Sequence, residues 1–258
     1  TYRVADFSPS ELEWRPFWEA LSNAQKRVAI IDAPYTYLSE NINGIQIADW
    51  GTHAPTYTDG SPTYPEQLAH DIRRKFGSDV LGACDASRPR NATEYATFRD
   101  TLLDRIERKE QLSNYILDQG GWDLFLTNFS ECHCVGHQSW HLHDSQHPRH
   151  DPELADTVGD PVKDIYVAID AVVGRYLARL SPDVRVLIFA SHGMGPNYSG
   201  TGLLDQLLLK VVGSESRMRF EGAREFIRSC WVRSPQTLRT ILKPVREKVW
   251  PAVNDKFI

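Results

Sequence analysis

Short apolar runs alternate with segments of helical periodicity along residues 14–190, and this alternation constrains the fold more than any other feature. Four apolar runs have the length and composition of strands, at 26–34, 42–51, 122–129 and 184–190. Apolar residues at intervals of three and four predict helices at 14–25, 65–77, 91–119 and 162–180. Because strands separated by helices usually pair in parallel, we predict an α/β fold with a mainly parallel central sheet flanked by helices.

The helix predicted at 91–119 is long, and its apolar pattern is interrupted. Charged residues dominate 107–111, where we predict a break, and Gly120-Gly121 ends the helix. The run at 122–129 is almost continuously apolar, as expected for a strand with helices on both faces of its sheet. We predict that the run at 184–190 is likewise a buried strand.

The length of 258 residues is enough to bury a substantial core within one domain. We find no internal repeat and no low-complexity linker, so we predict a single domain over residues 1–258. Its last part, 201–258, indicates a helical tail or cap. The helices expected there lie at 201–212, 220–230 and 235–248.

The composition excludes several classes of partner. A net charge of −5 argues against a surface for nucleic-acid polymers, and no apolar run approaches the ~20 residues that span a bilayer. The stretch "TYRVADFSPSELEW" lacks the basic and apolar regions of a signal peptide. The cysteines do not form the pattern of a disulfide framework, so we expect a cytoplasmic protein with reduced thiols. They are Cys84, Cys132, Cys134 and Cys230.

Histidines concentrate in "NFSECHCVGHQSWHLHDSQHPRH", residues 128–150, which holds six of the nine in the chain. His133 and His137 are four residues apart, so they share one face if 131–141 is helical. His192 follows the strand predicted at 184–190. Because the carboxyl ends of parallel strands meet at one edge of a sheet, we predict that the three imidazoles bind a divalent metal there, zinc by ligand type.

Several alternatives stand beside this interpretation. The histidines of a polar loop can simply bind water, and we expect 141–150 to be a surface loop. A structural zinc site that uses Cys132 and Cys134 lacks the usual two-residue spacing and a second cysteine pair. We therefore interpret these cysteines as small packing residues on a strand or loop beside the site. A Ser191–His192 nucleophile and base is disfavoured, because adjacent strand residues point to opposite sides.

Two stretches together, "FLTNFSECHCVGHQSW" and "VRVLIFASHGMGP", resemble the alkaline phosphatase superfamily. They are most similar to its nucleotide pyrophosphatase/type I phosphodiesterase branch and to related phosphohydrolases. "PFWEALSNAQKRVAIIDAPYTY" and "INGIQIADWG" resemble the segment between the nucleophile region and the metal motif of those enzymes. The resemblance covers residues 14 to 205. It implies an alkaline phosphatase-like core with two divalent metals, usually zinc, that bridge a phosphate or sulfate ester.

The resemblance also assigns roles to individual residues. It implies that His133 replaces an aspartate ligand, that His137 is the histidine of the same pair, and that His192 is the histidine of an Asp-His dipeptide. Ser191 stands where that dipeptide has its aspartate. Loss of two carboxylates weakens the hold on dications or changes the metal preference, so one ion or two are both compatible with the site.

The family's early aspartate, its nucleophile and its late metal-binding histidine have no counterpart in this chain. We therefore expect an incomplete core, either a fragment or a degenerate protein. The expected function is metal-dependent hydrolysis of a small phosphate ester. The alternatives are a non-catalytic remnant that binds a metal or a partner, and a thiol enzyme that uses Cys132 or Cys134. The sequence indicates neither the substrate, nor the nucleophile, nor an oligomeric state.

Overall fold

A computed structural model describes residues 14–52, 57, 61–78, 90–190 and 192–194 of the chain. The chain divides into two units, Thr1–Pro196 and Asn197–Ile258, and the second lies wholly outside the described residues. The helices predicted after residue 200 therefore lie outside the described residues. Whether they form a tail or a cap stays a prediction. The single domain over 1–258 stays a prediction.

The described strands form one sheet in the order β3-β2-β1-β4. The strands are β1 (Val28–Ile31), β2 (Gly44–Ile47), β3 (Thr63–Tyr64) and β4 (Leu124–Thr127). β1 pairs in parallel with both β2 and β4, whereas the short β3 is antiparallel to β2. The predicted α/β class with a mainly parallel sheet is confirmed, and three of the four predicted strands are present.

Within the described residues, six helices accompany the sheet. They are α1 (Phe17–Asn23), α2 (Leu68–Phe76), α3 (Ala92–Leu117), α4 (Glu131–His143), α5 (Pro152–Val158) and α6 (Pro161–Arg179). Local chemistry explains their ends. Asn91 and Glu94 form a capping box at the start of α3, and α5 and α6 each begin with an aspartate cap followed by proline. No helix in the described part is both long and apolar enough to cross a membrane.

Both faces of the sheet are covered, which explains why its central strand is apolar throughout. Val28 and Ile30 of β1 pack with Trp18 of α1 on one face. Ala29 and Ile31 pack on the other face, in a cluster that includes residues of α2 and α3. Every residue of β1 is fully buried, as expected for a parallel strand between two helical layers.

Two predictions about these elements are wrong. The charges at 107–111 do not interrupt α3, because Lys109 is buried in ion pairs instead of being directed to solvent. Residues 184–190 form no strand, although all seven are described, and Leu187 and Phe189 are 82% and 74% exposed. Apolar character leads to burial only where another element covers the segment, and the described elements leave these two side chains uncovered.

Candidate functional site

The predicted metal-binding helix begins where β4 ends. α4 starts at Glu131, four residues after the last residue of β4, so its first turn lies at the carboxyl edge of the sheet. His133 and His137 are one helical turn apart, and their ring centroids are separated by 4.3 Å. The two histidines therefore lie on one face of a helix, as the metal-site prediction requires.

His192 also reaches this position. Its ring centroid lies 5.8 Å from that of His133. Gly136 of α4 allows this approach, because a Cβ atom at Gly136 would lie 2.8 Å from Cε and 3.0 Å from Cγ of Met194. Met194 thus packs where Gly136 has no side chain, and it holds residues 192–194 against α4. The three predicted residues are brought together even though 184–190 is not a strand.

The three side chains offer a chemically suitable set of metal ligands. Neutral imidazole nitrogens are preferred ligands of zinc, and His137 is exposed while His133 is half-buried, so the site is open to solvent. The rings meet edge to face. Among the residues that the structure describes, no three His, Cys, Asp or Glu side chains already surround a common ion position. The donor types fit zinc, and the metal site itself stays a prediction.

Four charged side chains lie buried behind this edge. Lys109 Nζ is 2.8 Å from Asp32 Oδ2 and 3.5 Å from Glu131 Oε1, and Arg105 Nε is 2.7 Å from the same Glu131 oxygen. All four side chains have no solvent exposure. Two cations and two anions balance one another, which is what allows charges to be buried together. We call Asp32, Arg105, Lys109 and Glu131 the buried tetrad.

The buried tetrad also binds the backbone at the ends of three strands. Asp32, directly after β1, accepts hydrogen bonds from the N–H groups of Trp50 and Gly51, which follow β2. Lys109 donates to the carbonyl oxygens of Gly51 and Asn128, the latter just after β4. All three ammonium donors of Lys109 are thereby satisfied. The tetrad fixes the loops from which the site is built.

The protonation of Lys109 follows from its neighbours. Burial by itself lowers the pKa of the Lys109 ammonium, but the carboxylates of Asp32 and Glu131 outweigh burial and raise that pKa above its ordinary value. Lys109 is therefore a cation at neutral pH. A neutral lysine would leave two buried carboxylates with Arg105 as their only cation among the described residues.

The sequence interpretation missed the buried tetrad. The charges at 107–111 predict a break in the helix, yet Arg105 and Lys109 continue the apolar stripe of α3 at helical spacing. The buried residues of this stripe include Tyr95, Phe98, Leu102, Arg105, Ile106, Lys109, Leu112 and Ile116. The signal in the sequence was that Arg105 and Lys109 occupy positions of the apolar stripe, which indicates that their side chains are buried.

The surface loop predicted at 141–150 is present only over 144–150, because His141 and His143 lie on α4. α4 continues through His143, and His141 forms a 3.1 Å hydrogen bond with the hydroxyl of Tyr95 on α3. His143 Nδ1 lies 2.8 Å from Asp160, the cap of α6. His150 Nδ1 donates to the carbonyl oxygen of His141. These histidines connect α4 to its neighbours, whereas His137 and His133 lie one and two turns before His141.

Burial lowers the pKa of His141, and nearby positive groups lower it further. Those groups are Arg149, His147 and His150, and Asp151 opposes them. The neutral ring is therefore favoured at this position, and it is the form that can accept the hydrogen bond from Tyr95.

The described cysteines behave as packing residues. Cys132 and Cys134 are reduced cysteines on α4, and not on a strand or loop as predicted. Cys134 is part of the core between α3, α4 and α6, and Cys132 packs against it. Burial, with a contribution from the Glu131 carboxylate, raises the pKa of Cys132 to about 11. That thiol is a poor nucleophile at neutral pH. Cys84, Cys230 and Ser191 lie outside the described residues.

The comparisons with known proteins give one match. The family model described as type I phosphodiesterase / nucleotide pyrophosphatase matches residues 3–244, which is most of the chain. No curated protein and no solved structure matches the chain significantly.

Proposed function

The chain belongs to the type I phosphodiesterase / nucleotide pyrophosphatase family of the alkaline phosphatase superfamily, and on this premise we propose that it is a metal-dependent hydrolase of small phosphate esters. One observation supports the metal part of the proposal. His133, His137 and His192, from two distant parts of the sequence, approach one another at the carboxyl edge of the sheet, with centroid separations of 4.3 and 5.8 Å from the His133 ring. Ligands of α/β proteins bind at this edge.

In the proposed enzyme the three imidazoles hold one or two divalent ions, zinc by ligand type. A bound divalent ion supplies Lewis-acid polarisation of a phosphoryl oxygen and stabilises the charge that develops in an in-line displacement. The neutral imidazoles contribute no negative charge. The ion therefore keeps more of its positive charge for the substrate, and the protein holds it less tightly.

Ser130 is not the nucleophile of the proposed reaction, despite its place at the start of α4. Its hydroxyl is buried and donates a 2.8 Å hydrogen bond to the carbonyl oxygen of Gly51. It also lies 3.4 Å from a guanidinium nitrogen of Arg105. A hydroxyl with these contacts stabilises the structure around the site and is not available to attack a substrate. The reduced state of Cys132 and Cys134 agrees with the cytoplasmic location that we propose for the protein.

The experiment compares zinc stoichiometry and turnover in the same preparations. Bound zinc is measured by inductively coupled plasma mass spectrometry for the wild type, His133→Ala, His137→Ala and His192→Ala. His70→Ala is the control, because the His70 side chain is 85% exposed and lies on α2. Hydrolysis of bis-p-nitrophenyl phosphate and p-nitrophenyl phosphate is followed with added Zn²⁺ or Mn²⁺. Zinc binding and turnover that are lost in the three site variants support the proposal, and zinc binding unchanged in all of them rejects it.

A second function is favoured by one specific observation. Where the family resemblance places two aspartate ligands, this chain has His133 and Ser191. The loss of two carboxylates is compatible with a non-catalytic remnant that keeps the fold and binds a metal or a partner. Zinc binding that depends on His133 and His137, without turnover under any metal, would assign this second function.

A further inference from the structure

Arg105 contacts the residues on both sides of His133. Its Nε lies 2.7 Å from Glu131 Oε1, and its Nη2 lies 3.3 Å from Cys134 Sγ and 3.4 Å from Ser130 Oγ. From these contacts we infer that Arg105 is a positioning residue for the site, one that sets the place of His133 without touching a bound ion. The inference rests on the proposed function, since it assigns the group that holds the metal-binding turn.

The three contacts fix the first turn of α4 in both distance and direction. Ser130 and Glu131 precede His133 and Cys134 follows it, so a rotation of this turn about the α4 axis would break a contact to Arg105. The guanidinium group is planar, and its donors point in fixed directions, which a lysine ammonium cannot reproduce. Arginine at position 105 can therefore fix the orientation of the first turn of α4 and also compensate the charge of Glu131.

Arg105 is itself held rigidly. It lies in the middle of α3, where its neighbours Leu102 and Ile106 belong to the same core cluster as Cys134 and Val135 of α4. The Arg105 side chain has no solvent exposure. Movement of Arg105 relative to α4 would therefore require the core between the two helices to repack.

The charge of Glu131 is used within the buried tetrad and is not available to an ion. Glu131 lies two residues before His133, so it could be taken for a replacement of the missing aspartate ligand. Its Oε1 instead accepts from Arg105 and lies 3.5 Å from Lys109, and the side chain has no solvent exposure. Its Oε2 is buried with no hydrogen-bond partner among the described residues. Arg105 and Lys109 together therefore compensate this carboxylate, and Arg105 makes the closer contact.

The test is Arg105→Lys, which keeps the positive charge and removes the planar guanidinium group. Two quantities are measured: the dissociation constant for Zn²⁺ by titration calorimetry, and the NMR signals of the histidine rings without metal. We expect the constant to rise about 10- to 100-fold, as for other groups that orient metal ligands. We expect the His133 ring signals to shift while those of His143, at the far end of α4, stay in place.

Arg175→Lys is the matched control. Arg175 of α6 likewise uses two guanidinium nitrogens, here with both oxygens of Glu110 on α3 at 2.6 Å each, but it is exposed. Loss of the planar guanidinium group at position 175 should leave the dissociation constant for Zn²⁺ and the His133 ring signals unchanged. If Arg105→Lys behaves like Arg175→Lys in both measurements, the inference is overturned.

The two proposals fail in different ways. A wild type that binds no zinc rejects the metal site, while the metal-free His133 ring signals still decide whether Arg105 positions that residue. If Arg105→Lys does not fold, Cys134→Ala removes one of the three contacts and keeps the guanidinium. Shifted His133 ring signals in Cys134→Ala, with His143 unmoved, support the inference, and unshifted His133 signals overturn it.

Discussion

Lys109 Nζ lies 2.8 Å from Asp32 Oδ2, and neither side chain has any contact with solvent. This ion pair joins the middle of α3 to the carboxyl end of β1, an inner strand of the sheet. Burial of a single charge costs several kcal/mol, so each member of the pair depends on the other. The pair also connects two core clusters, because α3 packs against the sheet on one side and against α4 and α6 on the other.

Replacement of Lys109 by methionine should strongly destabilise the protein. Among the described residues, the change leaves only Arg105 to compensate the buried Asp32 and Glu131, and we expect a loss of about 3–5 kcal/mol in the free energy of unfolding. Urea denaturation measures this loss. Lys163→Met, at an exposed position of α6, is the control and should change stability by less than about 0.5 kcal/mol. A Lys109→Met protein as stable as this control would contradict the structure of the tetrad.

Stability should fall as the pH is lowered through the ordinary pKa of histidine, and His141 should account for part of the fall. The pKa of His141 is lowered in the folded protein, so the unfolded chain binds a proton there more readily than the native state does. Its contribution is therefore present above about pH 6.5 and is lost as the pH falls towards the folded pKa. Urea midpoints at pH 7.5 and 5.5 should differ less in His141→Gln than in the wild type. His70→Gln, at an exposed site, should keep the wild-type difference.

Cys132 should react slowly with alkylating agents. With a pKa of about 11, its thiolate fraction at pH 8 is on the order of a hundredfold smaller than that of an ordinary cysteine. Iodoacetamide labelling, quantified for the Cys132 peptide by mass spectrometry, should be slow at pH 8 and become about tenfold faster per pH unit towards pH 11. Unfolded protein provides the reference rate. Rapid labelling of native Cys132 at pH 7 would contradict this environment and revive a thiol-based function.

Gly136→Val should separate His192 from His133. A side chain at Gly136 would occupy the space that Met194 fills, since even a Cβ atom there would come within 2.8 Å of Met194 Cε. We expect zinc affinity to fall about tenfold, as when a ligand is poorly oriented. Met194→Ala in the Gly136→Val background removes the collision and should restore part of the affinity. Affinity that is unchanged in Gly136→Val would show that Met194 does not set the place of His192.

Charged substitutions at Leu187 and Phe189 should be tolerated. Both side chains are largely exposed, so Leu187→Lys and Phe189→Lys should change the free energy of unfolding by no more than about 0.5 kcal/mol. They should also reduce self-association, since exposed apolar runs promote aggregation. Thermal denaturation and light scattering measure the two effects. A severe loss of stability in both variants would mean that the segment is buried in solution.

Local patterns in the sequence were sufficient for most of the fold. Apolar runs gave β1, β2 and β4, and the spacing of apolar residues gave α2, α3 and α6, because both signals are set by which face is buried. The four-residue spacing of His133 and His137 gave their common helix face. These features depend on neighbours within one element, so they are visible before any tertiary contact is known.

The remaining features depend on contacts between distant residues. The extension of α4 through His143 is supported by Tyr95, 46 residues before His141, and Leu142 is buried in the same cluster as Tyr95. The burial of Arg105 required knowledge of Glu131, 26 residues later. A polar residue identifies neither its partner nor its exposure, so these interactions could not be deduced from composition or periodicity.

The central position of β1 has a consequence for the newly synthesised chain. Arg27 and Asp123, which lead into β1 and β4, are 96 residues apart. At a translation rate of about 5–20 residues per second, β1 waits roughly 5–20 s for this partner to be made. During that time β2 can occupy one side of β1, while the other edge keeps its backbone groups unpaired. The pairing of β1 with β4 therefore forms late in the synthesis of this segment, as is typical of parallel strands that are distant in sequence.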